Sequence, residues 1–148
     1  MGKFYLAIPD NTIASQIAEM LNNYNKWARR FYAGYILNSK ANYFVELNGS
    51  TVVGCAAYTT EHPTLSQIHH ICVLPQYRKR GVARRLTDLA IVNCGTDYVY
   101  MTVREDNGAS LALARSMGFV YVNKRWFRDH WTLILGRRRI NVNQRQHM

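Results

Sequence analysis

Residues 68–86 read IHHICVLPQYRKRGVARRL. Apolar and polar side chains alternate at the start, which predicts a β-strand over 67–74 that Pro75 ends. The period of two along a strand predicts two faces, one with Gln67, His69, Ile71 and Val73 and the other with Ile68, His70 and Cys72. A basic loop follows and leads into a helix predicted over 81–93. The stretch is therefore typical of a strand–loop–helix unit, and the chemistry of the loop indicates what the unit binds.

The loop contains the pattern Arg78-x-x-Gly81-x-Ala83. Small residues at positions 81 and 83 let a ligand approach the main chain closely. The first N–H groups of the following helix have no partners within that helix, and the helix dipole adds positive potential. These features are typical of a phosphate site. Four basic side chains surround it: Arg78, Lys79, Arg80 and Arg84.

Outward from this unit, strand and helix patterns follow in the order β-α-α-β-β-β-α-β-α-β-β, which predicts an α/β fold around a mixed sheet. Asn48-Gly49-Ser50 between two apolar runs predicts a hairpin, and Glu61-His62-Pro63 predicts a turn. Asp10 or Asn11 is expected to cap the first helix. The predicted strands cover 3–8, 43–47, 51–58, 67–74, 98–103, 119–122 and 126–135, and the predicted helices cover 12–24, a stretch with Trp27, Phe31, Tyr32 and Tyr35, 81–93 and 107–117.

A second motif lies in residues 107–119, which read NGASLALARSMGF. Gly118 is placed to end the predicted helix. Together with the basic loop, this segment resembles the GNAT superfamily of acyl-CoA-dependent N-acyltransferases. The resemblance covers roughly residues 3–135 and implies a mixed, mostly antiparallel central sheet flanked by helices. We therefore expect a GNAT-like acyltransferase domain over 1–135 and a basic, flexible C-terminal tail over 136–148.

The resemblance implies acetyl-CoA as acyl donor and assigns residues to it by position. The strand before the loop would pair with the pantetheine through main-chain groups, the loop would wrap the pyrophosphate, and Asn107 with Ser110 would contact or order the pantetheine arm. Core packing is the alternative for the strand residues, and helix capping accompanies the binding role of Asn107. The implied cofactor-binding residues are Ile71, Val73, Arg78, Lys79, Arg80, Gly81, Val82, Ala83, Arg84, Asn107 and Ser110.

The candidate general base is His69. In the family that this chain resembles, a deprotonated amine attacks the thioester and a base helps to remove its proton. His69 occupies a position where a relative of this family carries a catalytic histidine, whereas Gln67 stands where glutamate is frequent. A neutral imidazole with a pKa near its usual value of about 6.5 suits a base that works through water. The alternative is that His69 is a structural residue of the strand.

The general acid is missing from its usual position. Many proteins of the family carry a tyrosine four residues before the glycine that ends the second motif, and this chain has Ala114 there. Solvent is able to supply the proton to a thiolate, so the missing tyrosine weakens the prediction of catalysis without excluding it. The substitutes that the sequence leaves open are Tyr98, Tyr100, Tyr121 and Ser110.

Composition limits the class of protein. The chain has 148 residues, 48% of them hydrophobic, so one globular domain is expected. Its three cysteines are far apart, which indicates a reducing compartment and a cytoplasmic location. The five histidines form no metal-binding spacing with the cysteines, so we expect no metal. No apolar run approaches the ~18 residues of a membrane helix, so we expect no membrane partner.

The chain is strongly basic, with 19 Lys and Arg against 9 Asp and Glu. Residues 107–148 hold eight of the basic residues and one acidic residue, and such a field attracts anionic partners. Within it, basic and aromatic side chains interleave, as they do in polyanion sites. The late residues concerned are Lys124, Arg125, Trp126, Phe127, Arg128 and Trp131, followed by Arg137, Arg138 and Arg139.

The sequence therefore predicts an N-acetyltransferase that acts on an amine acceptor, and the basic third predicts an acceptor that is anionic or attached to nucleic acid. A solvated basic tail is the alternative reading of that charge. A non-catalytic GNAT-fold module that binds CoA or nucleic acid is the alternative function, and Ala114 is its main support. The sequence leaves the identity of the acceptor open, as well as the choice between a monomer and a dimer.

Overall fold

The computed structural model describes residues 3–7, 10–25 and 30–139. The elements follow one another in the predicted order, which confirms the predicted α/β succession. A short 3-10 turn, Pro75–Tyr77, separates the fourth strand from the third α-helix. The strands are β1 Lys3–Ala7, β2 Asn42–Asn48, β3 Thr51–His62, β4 Leu65–Val73, β5 Tyr98–Arg104, β6 Val120–Phe127 and β7 His130–Arg138, and the helices are α1 Asn11–Tyr24, α2 Ala33–Asn38, α3 Val82–Asn93 and α4 Gly108–Ser116.

The strands form a seven-stranded sheet in the order β1-β2-β3-β4-β5-β7-β6. β4 and β5 run parallel, with a register from Leu65↔Tyr98 to Gln67↔Tyr100. The pairs β1–β2, β2–β3, β5–β7 and β6–β7 are antiparallel. The sheet is therefore mixed and mostly antiparallel, as predicted. Strand β7 lies between β5 and β6, an order that the succession of elements alone does not determine.

The chain divides into two compact units, one of Met1–Thr59 with Ile68–Asn93 and one of Thr60–Gln67 with Cys94–Met148. In the first unit, α1 buries Ala14, Ile17 and Leu21 against apolar residues of β2 and β3. These positions recur at helical spacing, so one face of α1 is apolar. Burying each large aliphatic side chain stabilises the unit by roughly 1.5–3 kcal/mol relative to exposure.

The second unit has its own buried residues. Alternate residues of β5, Val99, Met101 and Val103, are buried, as are Phe119 and Leu135. The alternation shows that one face of β5 contributes to the interior, as the period of two along a strand requires. Among the residues that the structure describes, no helix is both long and apolar enough to cross a membrane.

Gly54 allows α3 to pack closely against β3. A Cβ atom at this position would lie 2.8 Å from Cγ1 of Val82 and 3.1 Å from Cδ1 of Leu86, closer than carbon atoms pack. Because Gly54 has no side chain, the first turns of α3 rest directly on the strand. The start of α3, which follows the basic loop, is thereby held by the sheet.

Helix boundaries differ from prediction by one residue at α1, α3 and α4, and by more at the second helix. Asp10 caps α1 by accepting a hydrogen bond from the Ile13 N–H at 2.9 Å, which decides between the two predicted caps. The second helix was expected to include Phe31, but α2 begins at Ala33. The side-chain amide of Asn22 binds both the N–H and the carbonyl of Phe31, each at 2.8 Å. These groups are thus unavailable to a helix. Trp27 lies outside the described residues.

The late strands also differ from prediction. Two strands over 119–122 and 126–135 were expected, with a break at the polar residues between them. Instead β6 continues through Asn123, Lys124 and Arg125, with a register shift between Tyr121 and Asn123, and the turn falls after Phe127. A β-bulge absorbs the extra residue without ending the strand. Strand β7 continues to Arg138, three residues beyond the predicted end, and 140–148 lie outside the described residues.

Candidate active site

Strand β4 presents two different faces. Gln67, His69 and Ile71 are half-buried, whereas Ile68, His70 and Cys72 are buried. This alternation confirms the two faces predicted from the sequence. It ends at Val73, which was expected to share the face of Ile71 but is buried as well.

His70 interrupts the regular backbone of β4. Its φ of +54° lies in the left-handed region, which costs energy for a residue with a side chain. The buried ring accounts for its persistence: Nδ1 lies 2.8 Å from the hydroxyl of Tyr43, the ring stacks on that of Tyr43, and the edge of Phe31 packs against it. Burial lowers the pKa of His70 to about 3, so the ring is neutral. Nothing in the sequence analysis indicated this irregularity.

His69 lies beside this irregularity. Its Nε2 is 2.7 Å from Oγ1 of Thr59 on the neighbouring strand β3. Burial lowers the pKa of His69 to about 4. The expected pKa near 6.5 is therefore wrong, because the sequence does not reveal how much solvent the ring loses. The imidazole is neutral at neutral pH, which is the form that accepts a proton, but its basicity is low.

Main-chain groups of β4 already bond to nearby side chains. The carbonyl of Ile71 accepts a hydrogen bond from Nδ2 of Asn25 at 3.1 Å, and the carbonyl of Val73 accepts one from Nε of Arg78 at 3.0 Å. Each carbonyl has a second lone pair, so these bonds leave room for a further donor. The implied pairing of Ile71 and Val73 with a pantetheine arm stays a prediction.

The loop between β4 and α3 contains two residues with an unusual backbone conformation. Lys79 and Gly81 adopt the left-handed conformation, with φ of +61° and +81°. Turns that contain such residues can bring successive N–H groups together into an anion-binding concavity. A Cβ at Gly81 would lie 3.0 Å from Nη1 of Arg85, so the loop needs glycine for both conformation and space. This backbone fits the pyrophosphate group that the sequence motif implied.

Side chains around the loop are anchored in part. The guanidinium of Arg78 lies 5.6 Å from the ring centre of Tyr24, and that of Arg80 lies 5.5 Å from the ring centre of Tyr77. Such cation–π contacts hold charge near the loop while leaving the groups exposed. Val82 is buried against β3, so only its main chain faces the loop. Exposed members of the predicted set are Arg78, Lys79, Arg80, Gly81 and Arg84, and Ala83 is half-buried.

A buried carboxylate lies behind the loop. Glu46 of β2 is 1% exposed and its Oε1 is 3.3 Å from Nη2 of Arg85. Nη1 of the same guanidinium donates to the carbonyl of Arg80 at 2.9 Å. The roles of Glu46 and Arg85 were not predicted, because the two residues are distant in sequence. The signal in the sequence was an acidic residue, Glu46, within the apolar run of β2.

The second unit contains the other motif. Oδ1 of Asn107 accepts a hydrogen bond from the Ser110 N–H at 3.2 Å, which confirms the predicted N-cap of α4. Gly118 adopts φ of +87° after the helix, as expected for a residue that ends it. Asn107 is exposed and Ser110 is half-buried. Their contact with a pantetheine arm stays a prediction.

The candidate acids differ in their surroundings. Ala114 is completely buried, so the usual tyrosine position contributes to the interior of the second unit. Tyr98 is exposed and lies under the guanidinium of Arg138, 5.3 Å from ring centre to Cζ. Tyr121 is exposed on β6. Ser110 lies in the first turn of α4.

Tyr100 stands apart from these because its hydroxyl is hydrogen-bonded to a carboxylate. The hydroxyl of Tyr100 donates a hydrogen bond to Oε1 of Glu61. Burial and this bond raise the pKa of Tyr100 above its usual value, while the nearby charge of Arg125 opposes the shift. The phenol therefore stays protonated, with its proton directed at Glu61. Sequence reasoning assigned Glu61 to a turn, but β3 extends to His62 and holds Glu61 within the strand.

The β6–β7 hairpin carries exposed aromatic rings and cations. Trp126 is 55% exposed and packs edge-on against Trp131. Nζ of Lys124 lies 4.5 Å from the ring centre of Trp131, and Arg128 lies over Phe127. The predicted interleaving of bases and rings therefore exists along this hairpin, and we call its exposed basic and aromatic residues the hairpin surface: Lys124, Arg125, Trp126, Phe127, Arg128 and Trp131.

The arginines after this surface have structural partners. Nη1 of Arg137 donates to the Met117 carbonyl at 2.6 Å, beside the end of α4. Nε of Arg139 donates to the Thr96 carbonyl at 2.7 Å. These two side chains satisfy main-chain acceptors of the second unit. These two guanidinium groups therefore stabilise the fold of the second unit. The prediction of a flexible tail over 136–148 did not include such a role.

No metal centre emerges from the described ranges, in which no three His, Cys, Asp or Glu side chains are placed to hold an ion. The three cysteines, Cys55, Cys72 and Cys94, lie buried as thiols.

The described residues form an α/β protein with a mixed sheet and a basic loop, with left-handed residues, between a strand and a helix. Residues 14–119 match the family model described as the Acetyltransferase (GNAT) family. The chain belongs to this family, which confirms the resemblance seen in its two motifs. Proteins of this family use acyl-CoA donors, and the residues of the loop fit such a group.

Three relatives show the extent of the similarity. N-alpha-acetyltransferase RimI from Mycobacterium tuberculosis is 38% identical over 98 residues, 62% of this chain and 62% of that protein. An uncharacterized protein from Mycobacterium leprae is 35% identical over 104 residues, 68% of this chain and 29% of that protein. Mycothiol acetyltransferase from Rhodococcus erythropolis is 34% identical over 87 residues, 57% of this chain and 28% of that protein. The chain spans less than two thirds of the length of each.

Solved structures share the fold. Ard1 from Thermoplasma volcanium has a TM-score of 0.81 and 17% identity, covering 95% of this chain and 99% of that one. The structure of yncA from Salmonella typhimurium, solved with its cofactor acetyl-CoA, has a TM-score of 0.78 and 17% identity and covers 94% of each chain. At these identities the likeness concerns the fold alone.

Proposed function

We propose that this protein is an N-acetyltransferase that transfers an acetyl group from acetyl-CoA to an amine. The left-handed loop at Lys79 and Gly81, ahead of α3 and surrounded by basic side chains, carries this proposal. Positive-φ residues ahead of a helix N-terminus support a pyrophosphate site in this loop. The names of two relatives, RimI and mycothiol acetyltransferase, and the acetyl-CoA bound to yncA support the choice of acetyl.

The donor supplies an activated acetyl thioester, and the protein binds and orients it. We assign the pyrophosphate to the loop from Arg78 to Arg84, mainly through main-chain N–H groups. Main-chain groups of Ile71 and Val73 would bind the pantetheine arm, and Asn107 with Ser110 would contact or order the same arm. In the reaction the amine nitrogen forms a bond to the acetyl carbon as the carbon–sulfur bond breaks. One proton leaves the amine and one is taken up by the thiolate.

Two side chains are proposed to handle these protons. His69 is neutral, because burial holds its pKa at about 4, and it would accept the amine proton directly or through water. Tyr100 is a protonated phenol whose pKa is raised by burial and by its bond to Glu61, and it would donate to the thiolate. Each role rests on the protonation state that its surroundings impose.

The acceptor is proposed to be an amine that is anionic or attached to nucleic acid. The hairpin surface supports this, because its exposed rings and cations match the needs of a polyanion. A solvated basic surface remains the alternative, and the two differ in whether acceptor kinetics respond to salt. The cytoplasmic location stays a prediction, as does the choice between a monomer and a dimer.

The activity is tested with acetyl-CoA and a panel of amines, with release of the CoA thiol as the readout. The panel includes peptide N-termini, polyamines and amine-bearing nucleotides, so that neutral, cationic and anionic acceptors are compared. Acceleration of thiol release by an amine, with the acetylated product seen by mass spectrometry, is the expected result. Native mass spectrometry of the purified protein would in addition show co-purified CoA and the number of subunits.

A non-catalytic module that binds CoA or nucleic acid is the second candidate. Two observations favour it: Ala114 replaces the usual acid, and the pKa of His69 at about 4 makes it a weak base. Tight binding of acetyl-CoA by calorimetry, with no amine in the panel accelerating thiol release, would favour the module over the enzyme.

A further inference from the structure

We propose that Arg85, held by the buried carboxylate of Glu46, is a positioning residue that sets the conformation of the pyrophosphate loop at Arg80 and Gly81. This inference rests on the proposed function, because it assumes that the loop binds acyl-CoA. Neither residue belongs to the motif Arg78-x-x-Gly81-x-Ala83, and neither is assigned to the donor above.

The guanidinium of Arg85 joins the loop to the sheet. Nη1 donates to the carbonyl oxygen of Arg80 at 2.9 Å, and Nη2 donates to Oε1 of Glu46 at 3.3 Å. The two nitrogens are rigidly linked in one planar group. Fixing one nitrogen on the buried carboxylate therefore fixes the direction from which the other approaches the loop.

The bond to Arg80 orients the next peptide group. In a trans peptide the C=O and the following N–H point in opposite directions. Because the carbonyl of Arg80 is turned toward Arg85, the N–H of Gly81 is turned away from Arg85. A carbonyl left to rotate would present its negative end where an anion binds. Arg85 thus keeps the Arg80 carbonyl on the side of the loop that faces Arg85 and the Gly81 N–H on the opposite side.

The burial of the Glu46 carboxylate, which holds Arg85, is energetically unfavourable. It is 1% exposed, and its Oε2 accepts no hydrogen bond from any residue that the structure describes. A buried carboxylate with incomplete hydrogen bonding costs free energy, and a buried ion pair is not in general a net stabiliser. A role in holding the Arg85 guanidinium in one orientation accounts for a charged group at this position.

The local packing fixes the position of Arg85 relative to Glu46. Glu46 lies opposite Gly54 in the β2–β3 pair, and the missing side chain of Gly54 lets Val82 and Leu86 of α3 rest on β3. The main-chain N–H of Arg85 also bonds to the Gly81 carbonyl at 3.0 Å. Helix, strand and loop therefore meet at a single arginine.

The variant Arg85→Lys tests the proposal. Lysine keeps a positive charge for Glu46 but lacks the fork, so it cannot serve the carboxylate and the loop in the same way. We expect the KM and the Kd for acetyl-CoA to rise about tenfold, the effect of one lost hydrogen bond to a charged donor, with kcat unchanged. Glu46→Gln should also raise the KM and the Kd for acetyl-CoA. The double variant Glu46→Gln/Arg85→Lys should bind acetyl-CoA no more weakly than Arg85→Lys alone, because Glu46 acts through Arg85.

A structural role alone would lower the melting temperature without this separation of KM from kcat. Arg115→Lys, an exposed position on α4, is the matched control and should leave both constants unchanged. If Arg85→Lys does not fold, the double variant Glu46→Gln/Arg85→Met removes both charges and should still show the raised KM.

The outcomes separate the two proposals. If the wild-type protein binds no acetyl-CoA by calorimetry, the proposed function fails whatever the variants do. If the wild-type protein binds acetyl-CoA and a folded Arg85→Lys variant binds it with the same affinity, the positioning role of Arg85 is overturned. Additive losses from Glu46→Gln and Arg85→Lys would overturn the claim that Glu46 acts through Arg85.

Discussion

Thr59 and His69 meet on neighbouring strands, with Oγ1 and Nε2 2.7 Å apart. The contact holds the imidazole against β3, in surroundings that lower its pKa to about 4. A histidine in this state does not change charge near neutral pH. Any change in turnover rate between pH 6 and 7 must therefore come from the titration of another group.

His69→Ala is expected to lower kcat by about 10²–10⁴-fold, the usual loss for a general base, with little change in the KM for acetyl-CoA. Steady-state kinetics over about pH 5–9 would measure this, and NMR titration of the wild-type ring should give a midpoint near 4. His62→Ala, at an exposed histidine of β3, is the control. Near-native turnover of His69→Ala across that range would assign the proton to solvent or to another side chain.

Gly81→Glu is expected to abolish binding of acetyl-CoA. The residue has φ of +81°, a Cβ would lie 3.0 Å from Nη1 of Arg85, and the added carboxylate would repel a pyrophosphate. Gly95→Glu is the matched control, because Gly95 has φ of +78° with nothing within 4 Å of a Cβ. Both variants bear similar backbone strain, so calorimetry with acetyl-CoA separates strain from loss of the site. A folded Gly81→Glu variant that binds acetyl-CoA with the affinity of the wild-type protein would contradict the assignment of the pyrophosphate to this loop.

Tyr100→Phe is expected to lower kcat about tenfold or more while leaving the KM for acetyl-CoA unchanged, because only the donated proton is removed. Tyr98→Phe on the same strand keeps the ring under Arg138 and should have a smaller effect. Product formation under saturating substrates measures the difference. A loss confined to Tyr98→Phe would transfer the role of the acid to that residue.

Stability should fall in mild acid. The folded-state pKa values of His69 and His70 are about 4 and about 3, below the unfolded value of about 6.5. The unfolded chain therefore binds protons first as pH falls, and stability is lost from about pH 6.5 downward through the folded pKa values. Between pH 7 and 4.5 we expect a loss of roughly 2–3 kcal/mol for each histidine. Urea unfolding at the two pH values measures it, and an unchanged midpoint would contradict the burial of both rings.

Charge removal on the hairpin surface should affect the acceptor and not the donor. Replacing Lys124, Arg125 and Arg128 by Gln is expected to raise the acceptor KM and to flatten its dependence on salt. Arg137→Gln is the contrasting variant, since it removes a hydrogen bond to Met117 and should lower the melting temperature. Acceptor kinetics that stay identical from low to high salt would leave the hairpin surface without a part in substrate choice.

Local patterns predicted most of the fold because each depends on neighbours in sequence. Asp10, Asn107 and Gly118 act at helix ends within a few residues of their partners, so their roles were predictable. The start of α2 was not, because Asn22 binds Phe31 across a segment whose path the sequence does not reveal. Likewise, the polar residues of β6 indicated a break where the structure has a bulge.

The candidate site shows the same division. The motif around Gly81 was visible because glycine reports backbone conformation directly. The protonation state of His69 was not, because it depends on how β3 and β4 bury the ring. Glu61 and Glu46 were missed because each meets its partner, Tyr100 or Arg85, 39 residues further along the chain.

Strand β6 ends the sheet and is exposed along its whole length. No strand of the described residues pairs with its outer edge, so main-chain donors and acceptors there are open to an extended chain that approaches. Lys124 and Arg125 lie in the middle of it, so a second copy arriving edge to edge would bring like charges together. We therefore expect the edge to repel its own copies, which protects the protein from growing into continuous sheets and directs self-association to other surfaces. An extended chain with acidic side chains would meet no such barrier.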